Sequence, residues 1–309
     1  MTNISVVVRT LNSAETIEDC LTSLSSQTYR DYEVLVVDEH STDHTLQIVQ
    51  KYPTRVFQNS PARNPCNRGI EEARGKIVAF IDSDCIAPPD WLTRIVEHFG
   101  EGGVAAVGGE EFSPSTSNYW PRCFEALRKM EKKFLFHWGS LEQVSTCNVA
   151  YRKDALLEVG GFHDDLFHGE ETELNWRLTK SKWKIVFDPK LAVQHNRRST
   201  LGKYLKQQFS AGIGVGRLVR MHPQILKPSH LAMVGLLVTT MILAVLLLSH
   251  RFSVALQLVG GFLAFAVAVS SYAGFVAKET KLVPGILVAA IVFVLARCSG
   301  FLIGLADSR

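Results

Sequence analysis

Acidic residues occur at three separated places in this chain. At two of them they follow a short apolar run, and at the third they begin a polar segment. They are Asp38, Asp82, Asp84, Glu170 and Glu171. The first three follow Val34–Val37 and Ile77–Ile81. A short β-rich run that ends in carboxylates is typical of a buried parallel strand, and open α/β sheets bind ligands at the carboxyl ends of such strands. The pattern therefore predicts that these acids meet at one cleft.

Strand-like and helix-like segments alternate along the first part of the chain. We predict strands at Ile4–Val8 and Glu33–Val37, each followed by an amphipathic helix, at Ala14–Ser26 and Thr42–Lys51. Later segments predict a helix opened by Pro88-Pro89-Asp90 and strands at Val104–Val107 and Lys184–Phe187. This alternation is typical of βαβ units, and it predicts an α/β fold built on a parallel sheet.

The net charge of +3 is unevenly distributed, because residues 189–278 contain no Asp or Glu. Basic residues accumulate just before a long apolar region: Arg197, Arg198, Lys203, Lys206, Arg217, Arg220 and Lys227. A basic neck beside an apolar region favours contact with anionic lipid headgroups over contact with nucleic acid. We therefore predict a membrane partner and no nucleic-acid partner.

Three apolar stretches follow the neck, at residues 231–249, 252–277 and 283–306, and the last carries Arg297. Each is long enough to cross a hydrocarbon core of about 30 Å, which predicts three membrane helices. A re-entrant first pair is the alternative. The division predicted is a soluble body at residues 1–198, an interfacial neck at 199–228 and a membrane domain at 229–309. The basic excess assigns the body to the cytoplasmic face.

The six cysteines show no paired spacing of the kind that holds zinc or builds a disulfide framework. We expect them to be reduced and structural.

Ordered motifs resemble those of family 2 glycosyltransferases with a GT-A fold, over about residues 3 to 215. They are Val6–Asn12, Leu24–Tyr29, Val34–Thr45, Asn67–Gly69, Phe80–Asp84, Asn148–Arg152, Gly160–Phe162 and Gly169–Glu171. The resemblance implies a nucleotide-diphospho-sugar transferase with a Rossmann-like mixed sheet. With a C-terminal three-helix transmembrane domain, the chain is similar to polyprenyl- or dolichyl-linked sugar transferases and to minimal cellulose-synthase-like enzymes.

A nucleotide-sugar donor leaves behind a diphosphate, whose developing charge calls for a divalent cation with oxygen ligands. By resemblance to the family's D-x-D motif, Asp84 is the metal ligand, and Asp82 supports it or touches the ribose. His195 resembles a histidine that approaches the metal or the diphosphate in many relatives. The implied ion is Mn²⁺ or Mg²⁺. The alternatives are that the two acids only cap a helix or loop and that His195 is structural.

The resemblance implies a nucleotide-sugar site at the ends of the first strands. Its candidate residues are Thr10, Asn12, Asp38, Glu39, Asn67, Asp82, Ser83 and Arg198. Glu39 stands where the family usually has a second Asp, so the donor base stays open between GDP- and UDP-sugars. Asn12 and Asn67 could instead only tie loops together. Cys66 stands where the family often has Arg or Lys, so Arg63 could compensate, or the diphosphate contact could come from Arg197 or Arg198.

Transfer to a hydroxyl requires a carboxylate that accepts the hydroxyl proton. The family places this base in the second residue of its acidic pair, which is Glu171 here, and Glu170 is the alternative. Both could also stabilise a helix that starts near Thr172, because acids favour a helix N-terminus. An acceptor that is already an ionised lipid phosphate would need no base.

Trp176 and Arg297 are the acceptor candidates, and we hypothesise that Arg297 contacts a lipid pyrophosphate. The aromatic and basic mixture at Asn118–Trp138 predicts an interfacial helix. The segment Lys206–Gly212 lacks the Arg-Trp pair of the Q-x-x-R-W motif found in processive relatives, which disfavours synthesis of long polymers.

These features together predict an inverting, metal-dependent transferase that moves a hexose, with mannose among the candidates, from a nucleotide donor to a polyprenyl- or dolichyl-linked acceptor. One alternative is a polyprenyl- or dolichyl-phosphate monosaccharide synthase. An alternative of another class is a non-catalytic membrane scaffold with a degenerate transferase domain. The oligomeric state is left open.

Overall fold

The computed structural model of the protein describes residues 3–100, 102–113, 118–136, 144–196, 200–225, 235 and 252–307. Arg198 and, apart from Gly235, the predicted first span at residues 231–249 lie outside this part of the chain. The chain divides into two compact units. The first comprises Met1–Pro114 and Ser140–Arg197, and the second comprises Ser115–Gly139 and Arg198–Arg309.

The strands are β1 (Ile4–Thr10), β2 (Tyr32–Asp38), β3 (Arg55–Gln58), β4 (Ile77–Asp82), β5 (Cys85–Ile86), β6 (Val104–Phe112), β7 (Asn148–Arg152) and β8 (Lys184–His195). The helices are α1 (Ile17–Ser25), α2 (Thr45–Val49), α3 (Pro65–Glu72), α4 (Trp91–His98), α5 (Tyr119–Phe136), α6 (Lys153–Glu158), α7 (Glu170–Lys180), α8 (Leu201–Met221), α9 (Phe252–Val276) and α10 (Val283–Ala306). The α and β segments predicted above are confirmed, with shifted ends.

The first unit is built on one eight-stranded sheet in the order β3-β2-β1-β4-β7-β6-β8-β5. The strands β1 to β4 are mutually parallel, but β7 runs antiparallel to both β4 and β6, and β5 runs antiparallel to β8. The α/β class and the mixed sheet implied by the family resemblance are thus confirmed, and the parallel arrangement predicted from the alternating segments holds for β1 to β4. Parallel neighbours need a crossover connection, whereas antiparallel neighbours do not. The chain leaves β6, forms α5 and then returns to the sheet as β7, which runs antiparallel to both of its neighbours.

Burial on both faces of the sheet accounts for the apolar sequence of β1. Ile4, Val6 and Val8 pack into one core cluster, and Val7 packs into the cluster on the opposite face. Successive side chains of a strand point to opposite faces, so Arg9 lies on the face of Val7. A charged side chain in such a strand must find a partner, because an unpaired buried charge is very costly.

The carboxyl ends of the first strands lie at one edge of the sheet. Thr10 of β1 is opposite Asp38 of β2, and Arg9 is opposite Asp82 of β4. The predicted meeting of Asp38 and Asp82 at one edge is confirmed.

The second unit contains α5, α8, α9 and α10. Gly212 and Gly216 of α8 face the backbone of α10, and Gly300 and Gly304 of α10 face the backbone of α8. The paired positions advance in the same direction along both helices, so the two helices are parallel. Small residues of this kind let helix backbones approach closely, as they do in membrane bundles.

One helical segment among the described residues, Thr280–Ala306, is long and apolar enough to cross a membrane. A shorter apolar helical stretch covers Ala266–Val276. The predicted second and third spans are helical, as α9 and α10, but the three-span domain stays a prediction.

We expect Gly212→Ala to lower the unfolding free energy of the second unit by about 1–3 kcal/mol, the usual cost of overpacking. The added Cβ would meet the backbone of Arg297 and Phe301. Gly202→Ala is the matched control, because a Cβ there has no neighbour within 4 Å. Thermal unfolding of the full chain in detergent gives the midpoint of each variant. Equal midpoints for the two variants would contradict the close helix contact.

Candidate active site

Arg9 joins three segments that are far apart in sequence. Its Nη2 lies 2.8 Å from Oδ1 of Asp82 and donates to Oγ1 of Thr146 at 2.8 Å, while its Nη1 lies 3.1 Å from Oε1 of Glu170. The Arg9 side chain is only 18% exposed. The sequence reasoning missed this residue, although a lone cation inside the apolar strand β1 was a visible signal. Arg9 therefore holds the end of β4 and the start of α7 together.

The two glutamates occupy the first turn of α7. Gly169 precedes them with φ of +80°, a left-handed conformation that glycine adopts without the steric cost of a Cβ. The helix thus starts at Glu170, two residues before the predicted position, and its N-terminus favours their negative charge.

The two glutamates differ in exposure and partners. Glu170 is 4% exposed, its Oε1 is held by Arg9, and its Oε2 has no hydrogen-bond partner among the described residues. Glu171 is half-buried, and its Oε1 accepts from the backbone N–H of Thr146 at 3.4 Å. Glu171 is thus the more exposed member of the pair.

Both carboxyl groups titrate above the ordinary range. Burial raises the pKa of Glu170 to about 8, the neighbouring charge of Glu171 adds to the effect, and Arg9 opposes it. Burial also raises the pKa of Glu171. A carboxylate with a raised pKa is a stronger base than an exposed one, which suits proton abstraction near neutral pH.

Asp84 and His195 form a second polar group. Asp84 lies in the turn between β4 and β5, and its Oδ1 is 3.4 Å from Nε2 of His195 at the end of β8. The Nδ1 of His195 is 2.9 Å from Oε2 of Glu111 on β6. Burial lowers the pKa of His195, but Asp84, Cys147 and Glu111 outweigh it and raise the pKa to about 12. The structure thus brings together two of the three predicted metal ligands.

This pair fits a divalent cation. Donors that share one ion with bonds of about 2.1 Å stand about 3 Å apart, close to the separation between Asp84 and His195. Glu111 occupies the place of the outer carboxylate that commonly orients a metal-binding histidine, and the sequence reasoning did not identify it. Asp82 gives one oxygen to Arg9, so Asp84 is the better direct ligand. A bound cation would supply positive charge for a departing diphosphate.

The predicted nucleotide residues at the ends of β1 and β2 are largely buried. Asp38 accepts from the backbone N–H of Ser41 at 3.1 Å and from Nε2 of Gln58 at 2.9 Å. The Oγ1 of Thr10 is buried and has no hydrogen-bond partner in the described part of the chain. Burial raises the pKa of the neighbouring Glu39. Asp38 thus shapes the loop that follows β2.

Two predicted nucleotide residues tie loops together. Oδ1 of Asn12 accepts from the backbone N–H of Thr42 at 2.8 Å. Nδ2 of Asn67 donates to the backbone oxygen of Phe162 and to Oδ1 of Asp164, each at 2.8 Å. Both side chains therefore make contacts between loops, as the alternative to nucleotide binding predicted for Asn12 and Asn67.

The remaining predicted site residues are dispersed. Ser83 donates from its Oγ to Oγ of Ser13 at 2.8 Å. Trp176 lies farther along α7, where Nζ of Lys180 stands 5.6 Å from its ring centroid. Arg198 is outside the described residues.

Arg297 belongs to the second unit. Its Nη1 donates to Oε1 of Gln208 at 2.9 Å, and its guanidinium lies 5.4 Å from the ring centroid of Phe293. Both contacts come from residues of the second unit.

A model of the family described as "Glycosyl transferase family 2" matches residues 5–160. The chain belongs to this family. "Glycosyltransferase AglE" of Haloferax volcanii is 32% identical over 224 residues, covering 68% of this chain and 72% of the relative. A Methanococcus voltae dolichyl N-acetyl-alpha-D-glucosaminyl phosphate 3-beta-D-2,3-diacetamido-2,3-dideoxy-beta-D-glucuronosyltransferase is 24% identical over 246 residues, covering 71% and 75%. The protein is therefore a glycosyltransferase.

The fold of this family 2 glycosyltransferase matches a solved relative. The mannosyltransferase of Pyrobaculum calidifontis, solved in complex with GDP-Man and Mn²⁺, superposes with a TM-score of 0.62 at 19% identity, covering 99% of this chain and 88% of that one. The similarity shows that the mixed α/β sheet has the GT-A architecture.

We expect Arg9→Met to lower the unfolding free energy of this glycosyltransferase by about 3–5 kcal/mol, because it leaves two partly buried carboxylates without their cation. Arg94→Met is the control. Its ion pair with Asp90 is exposed, so its loss should cost about 0–1 kcal/mol. Denaturant unfolding followed by circular dichroism compares them. Adding Glu170→Gln to Arg9→Met should restore part of the lost unfolding free energy. Similar losses for Arg9→Met and Arg94→Met would contradict the stabilising role of Arg9.

Proposed function

We propose that the protein is an inverting, cation-dependent hexosyltransferase that transfers a sugar from a nucleotide donor to a lipid-linked acceptor in glycan assembly. The observation that supports this most is the Arg9 network. It joins Asp82 at the end of β4 to Glu170 at the start of α7. It thereby ties the acidic pair to the strand end that is followed by Asp84.

The contacts of Asp84, His195 and Glu111 support the proposed cation site, and the remaining roles follow the family resemblance. Asp84 and His195 hold Mn²⁺ or Mg²⁺, with Asp82 beside them, and Glu111 orients His195. Glu171 is the base, and Glu170 positions it. The nucleotide lies over the ends of β1, β2 and β4. Its site is completed by Thr10, Asn12, Asp38, Glu39, Asn67, Asp82, Ser83 and Arg198.

The transfer step accounts for inversion. The acceptor hydroxyl oxygen attacks the anomeric carbon from the face opposite the diphosphate, and its proton passes to Glu171. The bond between that carbon and the diphosphate oxygen breaks, and the electron pair leaves with the diphosphate. A lipid phosphate acceptor would need no base, so the proposed role of Glu171 as a base goes with a hydroxyl acceptor.

A lipid acceptor at the cytoplasmic membrane face is supported by three observations. The Methanococcus voltae relative is named for a dolichyl-linked substrate, Thr280–Ala306 is apolar enough to span a membrane, and basic residues precede the apolar region. We propose a catalytic body at residues 1–198, a neck at 199–228 and a membrane domain at 229–309. Trp176 and Arg297 are the proposed acceptor contacts.

A donor panel tests the proposal. The full chain is heated with GDP-mannose, other GDP-sugars and UDP-sugars, each with Mn²⁺, Mg²⁺ or chelator. A ligand at about 100 times its Kd stabilises the folded state by about 2.7 kcal/mol. Sugars of one nucleotide, either GDP or UDP, should therefore raise the midpoint of thermal unfolding when the cation is present. Asp84→Asn should lose the cation-dependent shift, and Asp90→Asn, at an exposed ion pair, should keep it. A cation-dependent rise in the midpoint that persists in Asp84→Asn, or no rise with any donor, would contradict the proposal.

We expect Glu171→Gln to lower kcat by about 10²–10⁴, the usual worth of a general base. In the unchanged enzyme, activity should rise with pH as the base loses its proton. Since the folded pKa is raised, the midpoint should lie above the ordinary carboxyl value of about 4.3. The pH profile of kcat measures both. An acid limb that persists unchanged in Glu171→Gln would assign the base elsewhere.

The bond in the product distinguishes the two lipid-linked alternatives. A glycoside formed on a hydroxyl survives mild acid, whereas a sugar phosphodiester is cleaved. Acid-labile product would replace the proposed transferase by a lipid-phosphate monosaccharide synthase.

A further inference from the structure

Two thiols and an imidazole meet behind Asp84. The Sγ atoms of Cys85 and Cys147 and a ring nitrogen of His195 all lie within 4.8 Å of one another. Cys85 is 0% exposed, Cys147 is 2% exposed, and the His195 side chain is 17% exposed. The six cysteines are free and buried, but their sequence spacing gave no sign that two of them share a site with a histidine.

The strands hold this group in place. Cys85 of β5 is directly opposite His195 of β8 in the antiparallel pairing. Cys147 immediately precedes Asn148, whose Nδ2 donates to backbone oxygens on both neighbouring segments, Glu110 at 2.8 Å and Leu191 at 2.7 Å. Oδ1 of Asn148 accepts from Nε1 of Trp91 at 2.9 Å. Three donor side chains are therefore presented by a hydrogen-bonded scaffold rather than by a mobile loop.

We propose that Cys85, Cys147 and His195 bind a thiophilic divalent cation, with Zn²⁺ as the best match. Thiolate and imidazole are the ligands that zinc prefers, whereas Mn²⁺ and Mg²⁺ prefer oxygen. Two thiolates neutralise the charge of the ion, and a neutral imidazole adds none. The loaded group therefore carries no net charge into the buried region, where a net charge would be costly.

The spacing is close to that of a zinc site. Donors around a tetrahedral ion with bonds of about 2.0–2.3 Å stand about 3.5–3.8 Å apart, so this group, whose donors lie within 4.8 Å of one another, needs to close by at most about 1.3 Å when it is loaded. Rotation of two cysteine side chains supplies such a movement. Oδ1 of Asp84 lies 3.9 Å from Sγ of Cys85, which places a carboxylate beside the fourth position.

One atom of His195 serves both cation sites. Glu111 engages Nδ1 of His195 at 2.9 Å, so Nε2, which lies 3.4 Å from Oδ1 of Asp84, is the nitrogen left to bind the zinc. A zinc ion on the thiols withdraws Nε2 from the ion proposed beside Asp84. Zinc therefore competes with Mn²⁺ or Mg²⁺ and inhibits transfer. The inhibition rests on the proposed function, whereas the thiolate site does not.

Cobalt absorption tests the site without any turnover. The chelator-stripped, reduced full chain is titrated with Co²⁺, which reports thiolate ligands by a charge-transfer band in the near ultraviolet. We expect one equivalent per chain to give the band and Zn²⁺ to abolish it. Cys85→Ser and Cys147→Ser should lose it, and Cys66→Ser, at another buried free thiol, should keep it. Asp84→Asn should also keep it, because both sulfur ligands remain.

No band in the unchanged protein, or a band that survives both Cys85→Ser and Cys147→Ser, would overturn the site. A measurement that needs no variant guards against misfolding. In mild denaturant, where local opening exposes buried thiols, zinc should slow the alkylation of Cys85 and Cys147, mapped by mass spectrometry, more than that of Cys66. An equal effect of zinc on all three thiols would also overturn the site.

Competition is read separately from binding. Zn²⁺ should reduce Mn²⁺-supported turnover, and added Mn²⁺ should restore it. A cobalt band without this competition would disprove the shared use of His195 and leave the thiolate site standing. Inactivity with every donor and cation would instead count against the proposed function.

Discussion

The guanidinium of Arg9 is the interaction on which the arrangement of the acids depends. Asp82 and Glu170 come from segments that are distant in sequence, and without a cation between them their charges would repel at the sheet edge. Because Arg9 lies in the central strand β1, the sheet itself positions the start of α7. The core thereby sets the place of Glu171, the base that we propose.

Burial gives the neighbouring carboxylates different tasks. Glu170 is enclosed and bonded to Arg9, so it acts as part of the framework, while Glu171 is half-buried and is the base that we propose. Asp82 is likewise drawn toward Arg9, which leaves Asp84 to face His195. In the function that we propose, one acid of each pair is structural and the other takes part in the chemistry.

The parts of the fold that depend on local pattern were predictable from the sequence. The apolar strands β1, β2 and β4 and their terminal acids follow from alternation of segments, and so does the edge at which Asp38 and Asp82 meet. The direction of β7, the partner of Arg9 and the place of Glu111 depend on contacts between distant segments, which no spacing rule reveals. For the same reason the spacing of Cys85 and Cys147 did not predict that they lie together. The sequence also left open whether Asn12 and Asn67 contact a nucleotide or another loop.

The central claim is that acids from separate segments surround one cation at this edge of the sheet. Anomalous diffraction from crystals grown with Mn²⁺ and a nucleoside diphosphate tests it most directly. The account predicts a manganese peak within bonding distance of Asp84 and Nε2 of His195, with the diphosphate beside it and Glu171 facing the same cleft. A peak bound elsewhere, or a nucleotide bound away from the ends of β1 and β4, would contradict it.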